Sequence, residues 1–99
     1  HRRADLLLCL ALIHHLRITA NAPFRLIAAF LERLGRRVLI EYVPKDDVMA
    51  QVLVQGQKDT FLDYTEAQFQ VEFDKHFQLE DSFCVSDSGR KLYLFRATV

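Results

Sequence analysis

The chain has 99 residues, which is the length of one domain and too short for two hydrophobic cores. Its 51% hydrophobic and 26% charged content excludes disordered, collagen-like and low-complexity classes. Thirteen basic residues balance thirteen acidic ones, so the net charge gives no electrostatic reason to expect nucleic acid or an anionic membrane as a partner. Two cysteines, Cys9 and Cys84, are too few for a disulfide scaffold and suit a reduced, cytoplasmic setting.

The first predicted element is a strand buried on both faces. Residues 4–13 form a nearly continuous apolar run, well short of the ~18–20 residues that a transmembrane helix needs. A signal peptide is the alternative, because two arginines precede the run, but Asp5 interrupts its start and His14-His15 replaces the small-residue cleavage site. A doubly buried strand explains the unbroken run better, and we expect further polypeptide upstream of such a central strand.

A loop and an amphipathic helix are predicted next. Residues 14–21 read as a loop, from which Asn21 caps a helix with Pro23 in its first turn. Four apolar residues at i, i+3, i+4 and i+7 predict the buried face of that helix: Ile27, Phe30, Leu31 and Leu34. Gly35 is expected to close it just past its end.

The remaining elements complete the order β-α-β-α-α-β-β in a single unit of residues 1–99. Residues 38–43 predict a strand, parallel to the first through a right-handed crossover. Asp46 or Asp47 can cap a short helix over about residues 48–54, and Thr65 begins a capping box for another. Phenylalanines 69, 73 and 77 recur at steps of four and are interpreted as core, and residues 78–86 and 91–97 predict a C-terminal antiparallel hairpin.

These segments together resemble the C-terminal half of a class I S-adenosylmethionine-dependent methyltransferase. The matching segments are residues 4–16, residues 39–47 and the hairpin around residues 88–93. The pattern A-L-x-H-H-L, which begins at Ala11, is similar to the fourth motif of bacterial methyltransferases, including nodulation-type ones. The resemblance implies an α/β fold with a partial Rossmann-like three-layer sheet, in which this chain supplies the fourth to seventh strands of seven and ends in a reversed hairpin.

The cofactor side of that family has no counterpart in this chain. The Gly-rich loop after the family's first strand is absent, and the three glycines, Gly35, Gly56 and Gly89, form no cluster. The resemblance therefore implies S-adenosylmethionine as the cofactor of a full-length parent, and weak or no binding by these residues alone. Ala11 and Leu12, at the carboxyl end of the first strand, are the expected cofactor contacts here.

The predicted catalytic residues are His14 and His15. In open α/β sheets, ligands bind beyond the carboxyl ends of the parallel strands, where these histidines follow the first strand. On extended backbone they would point in opposite directions, so that one faces the substrate as a general base or polar anchor. The alternative is that one caps loop carbonyls and the other is solvated. A metal site is not expected, because adjacent histidines lack the i, i+4 spacing of helical ligands.

The predicted substrate-binding residues are Glu41, Lys45 and Asp47. Glu41 interrupts an apolar strand near its carboxyl end, where a carboxylate is costly unless it is paired. A ligand hydroxyl, Arg37 or Lys45 are the candidate partners. Lys45 and Asp47 lie in the following segment, where helix capping is the competing explanation for an aspartate.

The sequence is consistent with two hypotheses about function, which belong to different classes. The first is part of a methyltransferase that acts on a small-molecule acceptor, mainly by proximity and orientation. The second is a non-catalytic interaction module that retains the half-sheet, including a homodimer formed through the exposed edge of the first strand.

Overall fold

A computed structural model describes residues 3–18, 20–47, 64–85 and 89–98. They form a mixed α/β fold with a four-stranded sheet. The elements in chain order are β1 (Ala4–Cys9), α1 (Ile13–Ile18), α2 (Phe24–Leu34), β2 (Gly35–Tyr42), α3 (Glu66–Asp74), β3 (Phe77–Val85) and β4 (Arg90–Ala97). Residues 45–47 are also helical. The rest of the helix predicted at residues 48–54, together with Gly56 and turn residues 86–88, lies outside the described residues.

The strands are arranged in the order β1-β2-β4-β3. β1 and β2 are parallel, as predicted, and β4 runs antiparallel to both of its neighbours, β2 and β3. β3 therefore runs in the same direction as β2, with the reversed strand β4 inserted between them. The predicted C-terminal antiparallel hairpin is confirmed.

The core lies between one face of this sheet and the helices. Side chains alternate along β2, so that Val38, Ile40 and Tyr42 are buried on the helix side. Their neighbours on β4 are Phe95 and Tyr93, opposite Val38 and Ile40. The buried apolar residues of all three helices belong to the same cluster as these side chains. The described part of the chain thus has two layers, with its helices on one face.

The aromatic stripe predicted to be core is confirmed. Phe69, Phe73 and Phe77 are all buried, and the ring centroids of Phe69 and Phe73 are 4.6 Å apart. The predicted N-cap of α3 is present as well, because the Thr65 hydroxyl accepts a hydrogen bond of 3.1 Å from the backbone N–H of Gln68. Ring contacts of Phe69 with Tyr93 and of Phe73 with Phe77 pack α3 against β4 and β3.

The prediction that the first strand is buried on both faces is wrong for the described structure. β1 is an edge strand, and of its residues Cys9 alone is buried, whereas Leu6 is 49% exposed and Leu8 is 62% exposed. Leu7 and Cys9 face the helices, while Leu6 and Leu8 pair with Arg37 and Leu39 on the opposite face, where no described helix packs. The unbroken apolar run therefore leaves one face of β1 uncovered.

The prediction of a loop after β1 is also wrong. Residues 13–18 form the short helix α1, because Ile13 packs into the core with Leu16 against it. Asn21 does not cap α2: it has a left-handed φ of 53°, and its side-chain oxygen accepts a hydrogen bond from Arg17. Pro23 occupies the N-cap position of α2 instead.

The buried face of α2 is rotated from the predicted one. Ile27 and Leu31 are buried as expected, but Phe30 is 57% exposed and Leu34 is also exposed. The helix is apolar on more than one side, so its spacing pattern fits two faces and the sequence alone does not choose between them. Phe24 and Ala28 complete the face that packs on the sheet.

Gly35 is not a left-handed helix cap. It has an extended φ of −143° and is the first residue of β2. A Cβ at this position would lie 2.6 Å from Cγ of Leu7 on β1. The glycine is therefore required by the close approach of the β1 side chain rather than by backbone conformation.

Candidate functional site

The candidate site lies where the carboxyl ends of β1 and β2 meet the amino end of β4. Tyr42, the last residue of β2, is opposite Lys91 at the start of β4. The chain leaves β1 through Ala11 and Leu12 and enters α1 with the two histidines. This edge of a parallel pair is where open α/β sheets bind ligands.

His14 is the buried polar group of the site. It is 7% exposed, and its Nδ1 atom has no hydrogen-bond partner among the residues that the structure describes. Burial lowers the pKa of His14, positive charge on His15 and Arg90 lowers it further, and Glu41 opposes them. A neutral imidazole whose buried nitrogen lacks a partner is suited to accept a proton or a hydrogen bond from a ligand.

His15 occupies a different environment from His14. Both lie on α1, so they do not alternate as they would on extended backbone, and that prediction is wrong. Their ring centroids are 4.1 Å apart with the planes tilted by 36°. His15 is exposed and its ring packs at a tilt against His14, which is buried and is therefore the stronger candidate for chemistry.

Glu41 is half-buried on β2, and its charge acts on His14. It is opposite Leu92 in the sheet, so a carboxylate here borders an apolar surface. Arg37, one of its candidate partners, pairs with Glu80 instead, with Nε 3.0 Å from the carboxylate. The negative charge of Glu41 thus raises the pKa of His14, against the effect of burial, and their common role in one site stays a prediction.

Lys45 and Asp47 lie in the helical residues that follow β2. Because residues 45–47 are already helical, neither Asp46 nor Asp47 is the N-cap, and that prediction is wrong. Both aspartates lie in the first turn, where a negative charge interacts favourably with the positive end of the helix dipole. The Asp47 carboxylate also forms an ion pair with Nε of Arg90 at 3.6 Å.

Arg90 is a member of the site that the sequence patterns did not predict. It follows Gly89, whose left-handed φ of 79° turns the chain into β4. The turn packs closely on the segment after β2, since a Cβ on Gly89 would lie 3.3 Å from Cγ of Pro44. The arginine belongs to the predicted turn, but the register that pairs it with Asp47 is a property of the folded sheet.

Ala11 and Leu12, the predicted cofactor contacts, are both exposed at the end of β1. Ala11 has a left-handed φ of 55°, which costs a residue with a Cβ about 1 kcal/mol. Strained backbone of this kind is enriched at functional sites. Among the residues described, no group of three or more His, Cys, Asp or Glu side chains could hold a metal ion.

A second polar cluster, also not predicted from the sequence, joins α3 to β4. The Tyr93 hydroxyl donates a hydrogen bond to the Glu66 carboxylate and accepts one of 3.0 Å from Gln70, while Lys91 Nζ lies 3.0 Å from Glu66. Burial and the hydrogen bond to Glu66 raise the pKa of Tyr93 to about 12. Burial also acts to raise the pKa of Glu66, but the bonds from Tyr93 and Lys91 outweigh it and lower that pKa. The cluster fixes the first turn of α3 to the sheet.

Comparison with known proteins finds a longer polypeptide that is similar in sequence to this chain. No family model matches the chain. It is 33% identical over 92 residues to "Nodulation protein NoeA" of Rhizobium meliloti (strain 1021), an alignment that covers 93% of this chain and 19% of that protein. No helix of the described part is long and apolar enough to cross a membrane. The chain spans about one fifth of the length of this relative, and is similar to one region of a nodulation protein.

Proposed function

We propose that this chain is the acceptor-side half of an S-adenosylmethionine-dependent methyltransferase, and that polypeptide outside these 99 residues supplies the cofactor half. The observation that carries the proposal is the strand order β1-β2-β4-β3, with β4 reversed between strands that run in one direction. A sheet that ends in a reversed hairpin is what the methyltransferase resemblance implies.

The winding of the chain supports a larger, three-layer sheet. The connections from β1 to β2 and from β2 to β3 advance in the same direction, so right-handed crossovers put their helices on the same face. The opposite face, which we call the open face, leaves Leu6, Leu8 and Phe83 about half exposed. Helices of right-handed crossovers can cover the open face only if the parent domain has further parallel strands beyond the free edge of β1. The chain would have to add those strands in the opposite direction across the sheet, which reverses the winding. The proposed parent domain therefore has β1 near its centre.

Reversed winding also accounts for the position of the candidate site. In doubly wound sheets, ligands bind at the carboxyl edge where the winding changes direction. In the proposed parent, that point is beside β1, next to Ala11, Leu12 and His14. The predicted cofactor contacts and the buried histidine would then line one crevice.

The residues present do not form a cofactor site by themselves. They offer the carboxyl end of β1, but not the Gly-rich turn through which backbone approaches such a cofactor. S-adenosylmethionine, when bound, supplies an electrophilic methyl group. No step through the cofactor is derived from this half of the fold.

The residues of this chain act on the acceptor. Burial favours the neutral imidazole of His14, whose Nδ1 can accept a proton or a hydrogen bond from the acceptor, and the negative charge of Glu41 favours the imidazolium. Lys45, Asp47 and Arg90 offer charged contacts that orient a small-molecule acceptor. Catalysis would depend mainly on proximity and orientation.

A second candidate function is an interaction module without catalysis, which the unpaired edge of β1 favours. Two copies can pair antiparallel at this edge about a two-fold axis perpendicular to the sheet. That axis keeps the open face of both copies on one side, so Leu6 and Leu8 stay exposed in the dimer. In the larger sheet, the added strands would pair with the edge of β1 and their helices would cover the open face. We therefore prefer the methyltransferase to the dimer. A concentration-independent monomer in light scattering would exclude the dimer.

Calorimetric titration with S-adenosylmethionine tests the proposal. We expect micromolar binding by the full-length natural polypeptide that contains these residues, and no measurable binding by the 99 residues alone. In the full-length protein, Leu12→Arg should weaken binding, whereas Leu26→Arg, on the exposed side of α2, should not. Micromolar binding by the isolated chain would overturn the division into halves, and no binding by the full-length protein would overturn the methyltransferase.

A further inference from the structure

One flank of α2 carries exposed apolar side chains. Phe30 is 57% exposed and Leu34 is 37% exposed, although both belong to a helix that packs on the sheet. They are about one helical turn apart, so their side chains lie on the same side of the helix. At about 100° per residue, this side lies roughly 70–110° around the axis from the buried face, so it points sideways along the sheet. We call Phe30 and Leu34 the apolar flank of α2.

The apolar flank points away from α3. Arg25, on the opposite flank of α2, lines a cavity together with Gln68 and Glu72 of α3. Glu32 lies on that opposite flank too, with its carboxylate 3.1 Å from Nδ1 of His76, just after α3. Because α3 packs on β4 and β3, which lie on the far side of β2 from β1, the apolar flank points toward the free edge of β1.

β1 continues this apolar surface. Leu7 is on the face of β1 that the helices cover, and it is only partly buried. A Cβ on Gly35, the residue that follows Leu34, would lie 2.6 Å from Cγ of Leu7. Leu7 and the apolar flank therefore border one another at the margin of the helix layer.

The winding of the proposed parent domain places a helix at this margin. In that domain, the strands that precede β1 in the chain extend outward from its free edge, so the chain must return to β1 from an outer strand. This return advances across the sheet in the same direction as the connection from β1 to β2. A right-handed crossover in that direction lies on the face that α2 covers, which puts its helix beside the apolar flank.

We propose that the apolar flank and Leu7 are the docking surface of an amphipathic helix in the polypeptide that directly precedes β1. The longer relative, of which this chain spans about one fifth, has the length for such a segment. A crossover helix runs from the carboxyl to the amino edge of the sheet, as α2 does, so the two helices would lie side by side with axes about 8–10 Å apart. This inference rests on the larger sheet of the proposed function.

A second copy of the chain fits the apolar flank less well than such a helix. Both exposed charged residues of α2, Arg25 and Arg33, are arginines. A two-fold pair of these helices would bring like charges together, which opposes association. A helix with acidic residues beside its apolar face complements Arg33 instead.

Thiol labelling of the full-length natural polypeptide that contains these residues tests whether the flank is covered, with Phe30→Cys and Leu26→Cys as matched variants. Leu26 is 50% exposed. It lies roughly 150° around the axis from the buried face, so it points to solvent and should stay accessible. We expect the thiol at residue 30 to react at least about tenfold more slowly than the thiol at residue 26. Native Cys84, which is exposed, calibrates the reagent in both variants.

Photo-cross-linking from residue 30 identifies what covers the flank. Benzoylphenylalanine replaces Phe30 in the full-length polypeptide, and Val71, an exposed residue of α3, is the control position. We expect position 30 to cross-link to the roughly 20 residues directly before residue 1, and position 71 not to do so. This variant keeps an aromatic ring at residue 30, so it remains decisive if Phe30→Cys fails to fold.

Equal labelling of residues 26 and 30 would overturn the inference, as would a cross-link from position 30 to a second copy or to a distant segment. Calorimetric titration of the same preparations with S-adenosylmethionine separates this failure from that of the proposed function. Cofactor binding with residue 30 uncovered overturns the docking helix alone. Protection of residue 30 and the expected cross-link, without cofactor binding, support the docking helix and overturn the methyltransferase.

Discussion

Replacing Gly35 with alanine tests how closely α2 and β2 are packed on β1. The new Cβ would lie 2.6 Å from Cγ and 2.8 Å from Cδ1 of Leu7, and ordinary contact begins at 3.4 Å. The backbone at residue 35 is extended, so alanine adds no conformational strain. Overpacking of this kind costs about 1–3 kcal/mol, and the lower entropy of the unfolded alanine chain offsets about 0.4–1 kcal/mol. We expect Gly35→Ala to lower the free energy of unfolding by about 1–2 kcal/mol.

Urea denaturation of the two single variants and of Gly35→Ala/Leu7→Ala measures this contribution. In the Leu7→Ala background the clash is absent, so alanine at residue 35 should be neutral or stabilising. The expected loss in the wild-type background corresponds to a decrease in Tm of roughly 4–16 °C for a domain of this size. If Gly35→Ala costs the same free energy in both backgrounds, close contact with Leu7 is not the reason for the glycine.

Three further predictions concern stability near the site. Ala11→Gly should relieve the strain of the left-handed backbone and stabilise the fold by up to about 1 kcal/mol in thermal melts. Ala29→Gly, within α2, should destabilise the fold by about as much. If both variants are destabilised, the backbone at Ala11 is not strained. Tyr64→Phe removes the buried hydrogen bond of 2.6 Å to the Val43 carbonyl and should cost about 1–2 kcal/mol in urea, and a change near zero would show that the carbonyl finds another partner. Because the folded-state pKa of His14 is lowered, its stabilising contribution is complete above the unfolded pKa of 6.5 and is lost as pH falls through the folded-state value. His14→Gln should therefore reduce the loss of Tm between about pH 7.5 and about 5, and an unchanged pH profile would contradict the burial of the imidazole.

The elements that depend on local chemistry could be predicted from the sequence. Thr65 caps α3, the phenylalanine stripe is buried, and Gly89 turns the final hairpin. Each of these signals needs only a few neighbouring residues. The parallel pairing of β1 with β2 also followed, because a strand–helix–strand unit has one common arrangement.

The errors arose where burial depends on what lies across the sheet. An unbroken apolar run predicts a strand covered on both faces, yet Leu8 is exposed because no helix among the described residues packs on its face of the sheet. The apolar stripe of α2 fits two faces, and Phe30 falls on the outer one. Periodicity identifies which residues could be buried, but not which partner is present.

The position of the candidate site could be predicted from the sequence, but not all of its residues could. His14, Glu41 and Asp47 were expected near the strand ends; Asp47 pairs there with Arg90, and the charges of Arg90 and Glu41 act on His14. Arg90 was missed because its place beside Asp47 depends on the long-range register of β4 against β2. The helical backbone at His15 was missed because one turn of helix leaves too short a pattern to read.

Thiol labelling of Leu8→Cys tests most directly whether β1 lies inside a larger sheet. Native Cys84, exposed on β3 at the far edge, serves as the internal reference, and Cys9 is buried. In the isolated chain, the thiol introduced at residue 8 should react about as fast as that of Cys84, since Leu8 is 62% exposed. In the full-length natural polypeptide, the account predicts protection of residue 8 by at least about tenfold with Cys84 unchanged. Equal labelling of residue 8 in both proteins would contradict it.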